Sequence, residues 1–488
     1  MPGRLSGARG GTGSGRRCGV LLPLFSLPGA GPIGGLGGVG RWARALAQTG
    51  HSVWQVLPPG PTAGWVGNSP YSALSSFALD EAWLGDEGVP TERVDWEAAR
   101  RLGAARGRRA ARELIGSDDL AAFRAAHAAW VEDWGLYAVL RRALGRPWYD
   151  WPEGLRDRAP QTLAARRAAN AAEVDLEIAA QCAIDRAWQR SRGEVRAAGV
   201  EWMGDLPFYP AHDSADVWAH PGLFELRPDG RADLVAGCPP DAYSDTGQYW
   251  GNPVYRWAAH RADGFRWWAA RLGRQLELFD TARLDHFRGL AATWQIPARA
   301  ASAAEGSWVE SPGDAWVRQV GSGVAGRLVA EDLGVITEEV HALRRRLGAP
   351  GSRVVQFAFG DDHAESEHLP ERCPEDRVLY SSTHDSPTLA EWMGTLEGEE
   401  RSRLQAWLGR PVREPGAVQE TVQRLYASPA RLVVVTVQDV LGLGRGARIN
   451  RPGEAWGQWE WRLAEADLEA GLPRLEELAT ASGRRVAR

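Results

Sequence analysis

Acidic residues recur at one place in this chain, the downstream end of a short apolar run. Asp205 closes "MGDLP", Asp285 sits in "ARLDHF", Glu331 in "VAEDLG", Asp385 in "STHDS" and Asp439 in "VQDVLG". Several carboxylates without clustered metal ligands suit glycoside cleavage. One carboxylic acid protonates the leaving oxygen, and a second carboxylate attacks the anomeric carbon or activates water. The acid must keep its proton near neutral pH, so burial or a neighbouring carboxylate has to raise its pKa. The nucleophile must stay ionised, which a nearby guanidinium favours. Arg283 stands two residues before Asp285, on the same face if the segment is an extended strand. A plain structural ion pair has the same spacing. Asp205 and Asp439 also read as caps of the helices that follow, whereas Asp285 and Asp385 adjoin His286 and His384. The histidines are isolated from one another, which disfavours a metal hydrolase, and neither a metal nor an organic cofactor is assigned.

Residues at strand ends need strands to carry them. Eight apolar runs read as buried parallel strands: 19–24, 51–58, 200–208, 281–287, 326–333, 352–359, 377–385 and 431–439. Amphipathic helical stretches lie between most of them, such as "GRWARALAQTG" and "DGFRWWAARLGRQLELFD". Alternation of strand and helix argues for an α/β fold with a parallel sheet. Eight strands match a closed (β/α)8 TIM barrel, whose site lies at the C-terminal ends of the strands. An open doubly wound sheet is the alternative, weakened because no Gly-rich dinucleotide loop follows an early strand.

The expected organisation has a Gly/Arg/Ser-rich disordered tail at 1–16 and the start of the barrel at 17–84. A mainly helical insertion subdomain at 85–195 separates the second and third strands. The rest of the barrel occupies 196–488, with active-site loop insertions at 209–260 and 290–322. The residues after the eighth run read partly helical rather than as a C-terminal β-domain.

The composition fits this picture. The 488 residues are 44% hydrophobic and 24% charged, enough for a large core. A net charge of -5 points to neither nucleic acid nor an acidic membrane surface. All 57 basic residues are arginine. Most of the 24 tryptophans belong to the core by this reading, with a few left for the flat face of a sugar. Cys18, Cys182, Cys238 and Cys373 have no CxxC spacing, which suggests free thiols in a reducing, cytoplasmic setting. The N-terminus imitates a secretory signal, but prolines interrupt "GVLLPLFSLPG", and a first core strand is the preferred reading. No apolar run approaches the ~20 residues of a membrane span.

With these residues in hand, the chain resembles the amylomaltase or 4-α-glucanotransferase family, glycoside hydrolase family 77. The resemblance runs in order from about Gly19 to about Arg462. It passes through "WQVLPPGPT", "NSPYSALSSFA", "GDLPFYPAHDSADVWA", "VAGCPPDAYSDTGQYWGNPVYRW", "ARLDHFRGL", "AEDLGVIT", "LYSSTHDS" and "QDVLGLGRGARINRPG". It implies Asp285 as the nucleophile, Glu331 as the general acid/base and Asp385 as the third carboxylate, which stabilises the transition state. It further implies Arg283 against Asp285, His286 and His384 on the sugar at the cleavage point, and Tyr71 as an aromatic platform. Asp241, Tyr243, Gln248 and Trp250 would lie in a loop covering donor and acceptor, and Phe357, Asp361 and Asn450 would make further sugar contacts. Maltooligosaccharides and α-1,4-glucans are the implied partners, without nucleic acid, membrane, metal or cofactor.

Ser386 and Pro387 replace the family's Asn-Asp, Ala291, Thr293 and Gln295 replace Glu, Tyr and Glu, and "GQW" replaces "GNW" at 457–459. Three activities stay open at this point: transfer to a sugar 4-hydroxyl, amylase-like hydrolysis, and glucan binding without turnover.

Overall fold

The computed structural model describes residues 15–240, 246–413, 416–454 and 456–486. Twelve strands are described: β1 (Arg17–Leu21), β2 (Val53–Gln55), β3 (Glu201–Leu206), β4 (Leu234–Cys238), β5 (Gln248–Pro253), β6 (Thr281–Leu284), β7 (Ala292–Pro297), β8 (Ser307–Glu310), β9 (Leu328–Ala330), β10 (Gly351–Val354), β11 (Arg377–Tyr380) and β12 (Leu432–Thr436). Eight of them close a parallel barrel in the order β1-β12-β11-β10-β9-β6-β3-β2. These are the eight apolar runs. They are almost entirely buried, as strands covered on both faces must be. Residues 17–21 of the signal-like N-terminus are thus a central strand, paired with β12 from Arg17↔Leu432 to Leu21↔Thr436.

Tryptophans make the joint between barrel and helices. Trp202 of β3 stacks on Trp54 of β2 at 5.3 Å and on Trp188 at 4.7 Å. Trp188 belongs to the helix Ala171–Ala197, so this long helix covers the barrel wall at β2 and β3. The helices Trp96–Leu114, Asp118–Ala126, Val131–Leu144 and Pro160–Ala169 precede it. Their apolar residues share one core with the barrel: Trp134, Tyr137 and Ile178 cluster with Leu206, Phe208 and Leu284. The helical segment therefore has its core in common with the barrel, and position 195 falls inside its last helix.

The segments read as active-site loops contain a second sheet, antiparallel, in the order β5-β4-β7-β8. β4 and β5 follow β3 in the chain, and β7 and β8 follow β6, so the sheet stands at the C-terminal end of the barrel. Its strands are short and mix Gly, Gln, Asn and Trp in "QYWGNP" and "ATWQIP". They lack the β-branched runs that mark the barrel, which is why the sequence reads as loop there. Val235 and Ile296 form a small core with Ala232 and Ala303 on one face of the sheet. After β12 the described chain continues in helices, including Glu465–Ala481, with no further strand. No described helix is long and apolar enough to cross a membrane.

Candidate active site

The parallel ladder delivers the carboxylates to one place. In the register of β3 and β6, Asp205 pairs with Arg283. β6 ends at Leu284, but the ladder continues through loop backbone. Asp285 N–H donates to Leu206 O at 3.0 Å, Glu331 N–H to Leu284 O at 3.1 Å, and Phe287 N–H to Glu331 O at 3.0 Å. Asp285 and Glu331 are thereby fixed on adjacent strand ends. His286 takes a left-handed conformation, φ 47°, uncommon for a side-chain-bearing residue and typical of functional turns. In that turn its N–H donates to Glu331 Oε2 at 2.7 Å, while Leu333 N–H donates to Oε1 at 3.0 Å. Gly289 lets the turn pack closely, since a Cβ there would lie 2.8 Å from Phe208 Cζ and 3.1 Å from His286 Cδ2.

Arg283 does pair with Asp285, at 2.9 Å, but that is half of its work. The same Nη1 donates to both oxygens of Asp205, at 2.9 and 2.8 Å. Asp205 is completely buried and also accepts the Tyr71 hydroxyl at 2.9 Å. It caps no helix; the next one begins at Ala215 with Ser214 as its cap. The capping expectation fails for Asp439 as well. Its helix is capped by Thr436, and its own carboxylate accepts from Ser381 Oγ at 2.6 Å and Leu389 N–H at 2.7 Å.

Asp385 lies across this group. Asn450 Nδ2 donates to its Oδ1 at 2.6 Å, and Arg448 holds its backbone carbonyl at 3.0 Å. His384 Nε2 lies 3.1 Å from Asp385 Oδ2. The His384 ring stacks on Tyr71 at 4.9 Å, with Trp459 6.0 Å from the same tyrosine. From the second sheet, Trp250 meets the His286 ring edge-to-face at 4.8 Å, its indole N–H bonded to Gln248 at 3.1 Å.

The side chains of Asp285 and Asp385 keep 27% and 46% of their surface, so both open onto the cleft. Protein crowds them elsewhere, and the three acids separate in pKa. Burial raises the Glu331 carboxyl to about 8, with the Asp285 charge adding to the effect against Arg283 and two backbone N–H donors. Burial also raises Asp285, to about 6, with Arg283 opposing and Asp205 and Asp385 assisting. Asp385 falls to about 2: burial works against ionisation, but His384 and the Asn450 hydrogen bond outweigh it. Burial and Arg288 hold the His286 imidazole neutral, at about 3. Near neutral pH this leaves one protonated acid beside two ionised carboxylates, the separation that acid–base work requires.

Other expected site residues distribute unevenly. Gln248 and Trp250 lie on β5 rather than in a loop. Asp241 and Tyr243 fall outside the described residues. Phe357 sits in the turn Val355–Phe359 that follows β10, with its ring 5.6 Å from His368. Asp361 is fully exposed and pairs with Arg403 at 3.3 Å. Of the unusual residues, Ser386 Oγ accepts from Thr383 N–H at 2.8 Å, and Pro387 O accepts from Gln356 at 2.8 Å. Gln458 accepts from Arg451 N–H at 2.9 Å, steadying the segment that carries Asn450. Gln295 is buried and bonded to Thr293 at 3.1 Å. Sequence reasoning missed the placing of Asp205, Arg448 and Trp459. For the first, only the register of β3 against β6 discriminates, and that belongs to the fold.

Three carboxylates gathered at the strand ends of a TIM barrel are the constellation that glycosidic-bond cleavage uses. The family model for 4-alpha-glucanotransferase, glycoside hydrolase 77, matches residues 22–468. The chain is 42% identical to the 4-alpha-glucanotransferase of Thermus thermophilus, over 96% of this chain and 99% of that one. It is 39% identical to the 4-alpha-glucanotransferase of Aquifex aeolicus, over 92% and 96%. Among solved structures, the amylomaltase from Streptococcus agalactiae in complex with acarbose superposes with a TM-score of 0.90 at 27% identity, covering 96% of this chain and 100% of that one. The chain belongs to the 4-alpha-glucanotransferase family.

Proposed function

We propose that this chain disproportionates α-1,4-glucans by double displacement through a covalent glycosyl-Asp285. Glu331, protonated, gives its proton to the glycosidic oxygen as Asp285 attacks the anomeric carbon, and the leaving glucan departs with a free 4-hydroxyl. Glu331, now a carboxylate, takes the proton of an acceptor's 4-hydroxyl. That oxygen attacks the same carbon from the opposite face and releases Asp285, so the anomeric configuration is retained. Asp385, held ionised by His384 and Asn450, stabilises the oxocarbenium-like charge. His286 and His384 hydrogen-bond the sugar, and Tyr71 supports it from the side not covered by His384.

The observation that carries this reading is the placing of Asp285 and Glu331 on adjacent strand ends, Asp285 bonded to Arg283 and Glu331 to two backbone N–H groups. Burial raises Glu331 to about 8, and it raises Asp285 only to about 6 because Arg283 opposes it. Water and sugar compete for the glycosyl-enzyme. Trp250 and the sheet that bears it favour the sugar by covering the site and excluding water.

Incubation of the purified protein with maltotriose tests the proposal. Glucose together with maltotetraose, maltopentaose and longer chains is the expected result. Glucose and maltose alone would replace transfer by hydrolysis, and an unchanged substrate would refute turnover.

A further inference from the structure

Arg288 follows Asp285 by three residues, in the turn Phe287–Leu290, and takes no part in the steps above. Only 7% of it is exposed. Its Nε and Nη1 are buried and meet no hydrogen-bond partner among the described residues. Other arginines also bury an unmet nitrogen, Arg271, Arg344 and Arg377 among them, but each is held through its remaining nitrogens. Two more are fully engaged. Arg484 donates to the carbonyls of Arg17, Tyr426, Ser428 and Ala430, and Arg462 to those of Leu27, Gly29, Gly31 and Thr91. Arg288 differs from all of these in that none of its guanidinium nitrogens makes a hydrogen bond or ion pair among the described residues, and a donor set left wholly unmet in this way suits an acceptor from outside.

The surroundings say what kind. The Arg288 guanidinium lies over the indole of Trp308, 3.6 Å from the ring centroid. Trp308 is on the edge strand β8, 39% exposed, with Trp294 edge-to-face at 5.2 Å. Ser311 Oγ, a second buried group without a partner among the described residues, joins the same turn: Ser311 N–H donates to Ala291 O at 2.8 Å, and Ala291 N–H to Arg288 O at 2.9 Å. Unmet planar donors and a hydroxyl beside a half-open indole match a pyranose, which offers hydroxyl oxygens at its rim and C–H groups on its faces. Trp308 and Trp250 stand on the two opposite edge strands of one sheet, and Arg288 follows His286 by two residues, so the place adjoins the turn that carries His286.

We infer that Arg288, Trp308 and Ser311 form a further sugar-binding position, which takes a pyranose of the glucan outside the cleavage point and sets a preference for longer chains. The inference rests on the transferase reading for its ligand, but its test does not depend on turnover. Titration calorimetry compares maltotriose with maltohexaose on the full chain carrying Asp285→Asn, with and without Trp308→Ala or Arg288→Gln. The loss of charged hydrogen bonds should weaken maltohexaose binding about tenfold and leave maltotriose within about twofold. Trp308→Ala, at a half-open site, keeps the test valid if Arg288→Gln does not fold. Unchanged binding of both sugars, or equal weakening of both, would overturn the inference. So would inorganic phosphate binding that disappears in Arg288→Gln while maltohexaose binding stays the same. Failure of the transferase reading would show separately, as a maltotriose reaction of the unmutated protein without longer products.

Discussion

The barrel ends and the antiparallel sheet above them meet at one cleft and are built in opposite ways. At the barrel ends every carboxylate of the group is tied down. Asp205 and Arg283 are buried and mutually bonded, and backbone bonds carry the ladder past its strands to Asp285 and Glu331. The sheet has an open edge. All four residues of β8 are exposed, and Tyr249 of β5 is 48% exposed. Its own core consists of a few small residues and Ile296. Bond cleavage depends on proton positions and charge separations, which a closed ladder keeps constant. Choice between acceptors depends on the shape of the approach, which an edge-open sheet can vary without disturbing the acids.

If this division of labour holds, substitutions at the barrel ends should abolish cleavage, and substitutions in the sheet should redirect it. Asp285→Asn should reduce transfer by at least about 10⁴-fold, with the circular dichroism spectrum unchanged; measurable turnover near the unmutated rate would break the comparison at once. Glu331→Gln should follow, with a loss of about 10²–10⁴. The pH profile of kcat/KM sharpens this assignment. Activity should rise with pH as Asp285 ionises near 6 and fall as Glu331 loses its proton near 8. In Glu331→Gln the falling limb should vanish while the rising limb remains.

Asp205→Asn tests positioning rather than direct chemistry. Asp205 raises the Asp285 pKa, so its neutralisation leaves Arg283 to Asp285 and should move the rising limb to lower pH. It should also lower the melting temperature, because removing one partner of a buried ion pair costs about 3–5 kcal/mol. An unmoved limb would mean that the three-way bridge is structural only. Trp250→Ala should leave cleavage within about tenfold but shift products from longer chains toward glucose and maltose, as water gains access; an unchanged product ratio would remove the sheet from acceptor choice. The smallest effect belongs to Ser386→Ala, which takes an acceptor from Thr383 N–H and should cost about 1 kcal/mol of stability with activity intact.

The same contrast explains what the sequence reveals. A parallel strand covered on both faces reads as an unbroken apolar run, so all eight barrel strands and the acids at their ends are visible in one dimension. Arg283 and Asp285 are close enough in sequence that their pairing follows from strand alternation. Asp205 is different, because a carboxylate after an apolar run looks the same whether it caps a helix or anchors a buried arginine. Only the register of β3 against β6 separates the two. The antiparallel sheet is hidden because its partners come from separate segments, with Leu234–Cys238 pairing with Ala292–Pro297, and because short mixed strands carry little periodicity. The membership of Gln248 and Trp250 in β5, and the exposure of Asp361, follow from that tertiary arrangement and have no local signal.

The central claim is the glycosyl bond on Asp285, and it can be trapped. The Glu331→Gln variant, mixed with an α-maltosyl fluoride, retains the nucleophile, needs no acid for the fluoride leaving group and lacks the base that speeds release. Peptide mapping by mass spectrometry should find a glycosyl adduct on the peptide containing Asp285, discharged when maltotriose is added as acceptor. Release of maltose from the fluoride with inverted configuration and an unmodified Asp285 peptide would contradict the account.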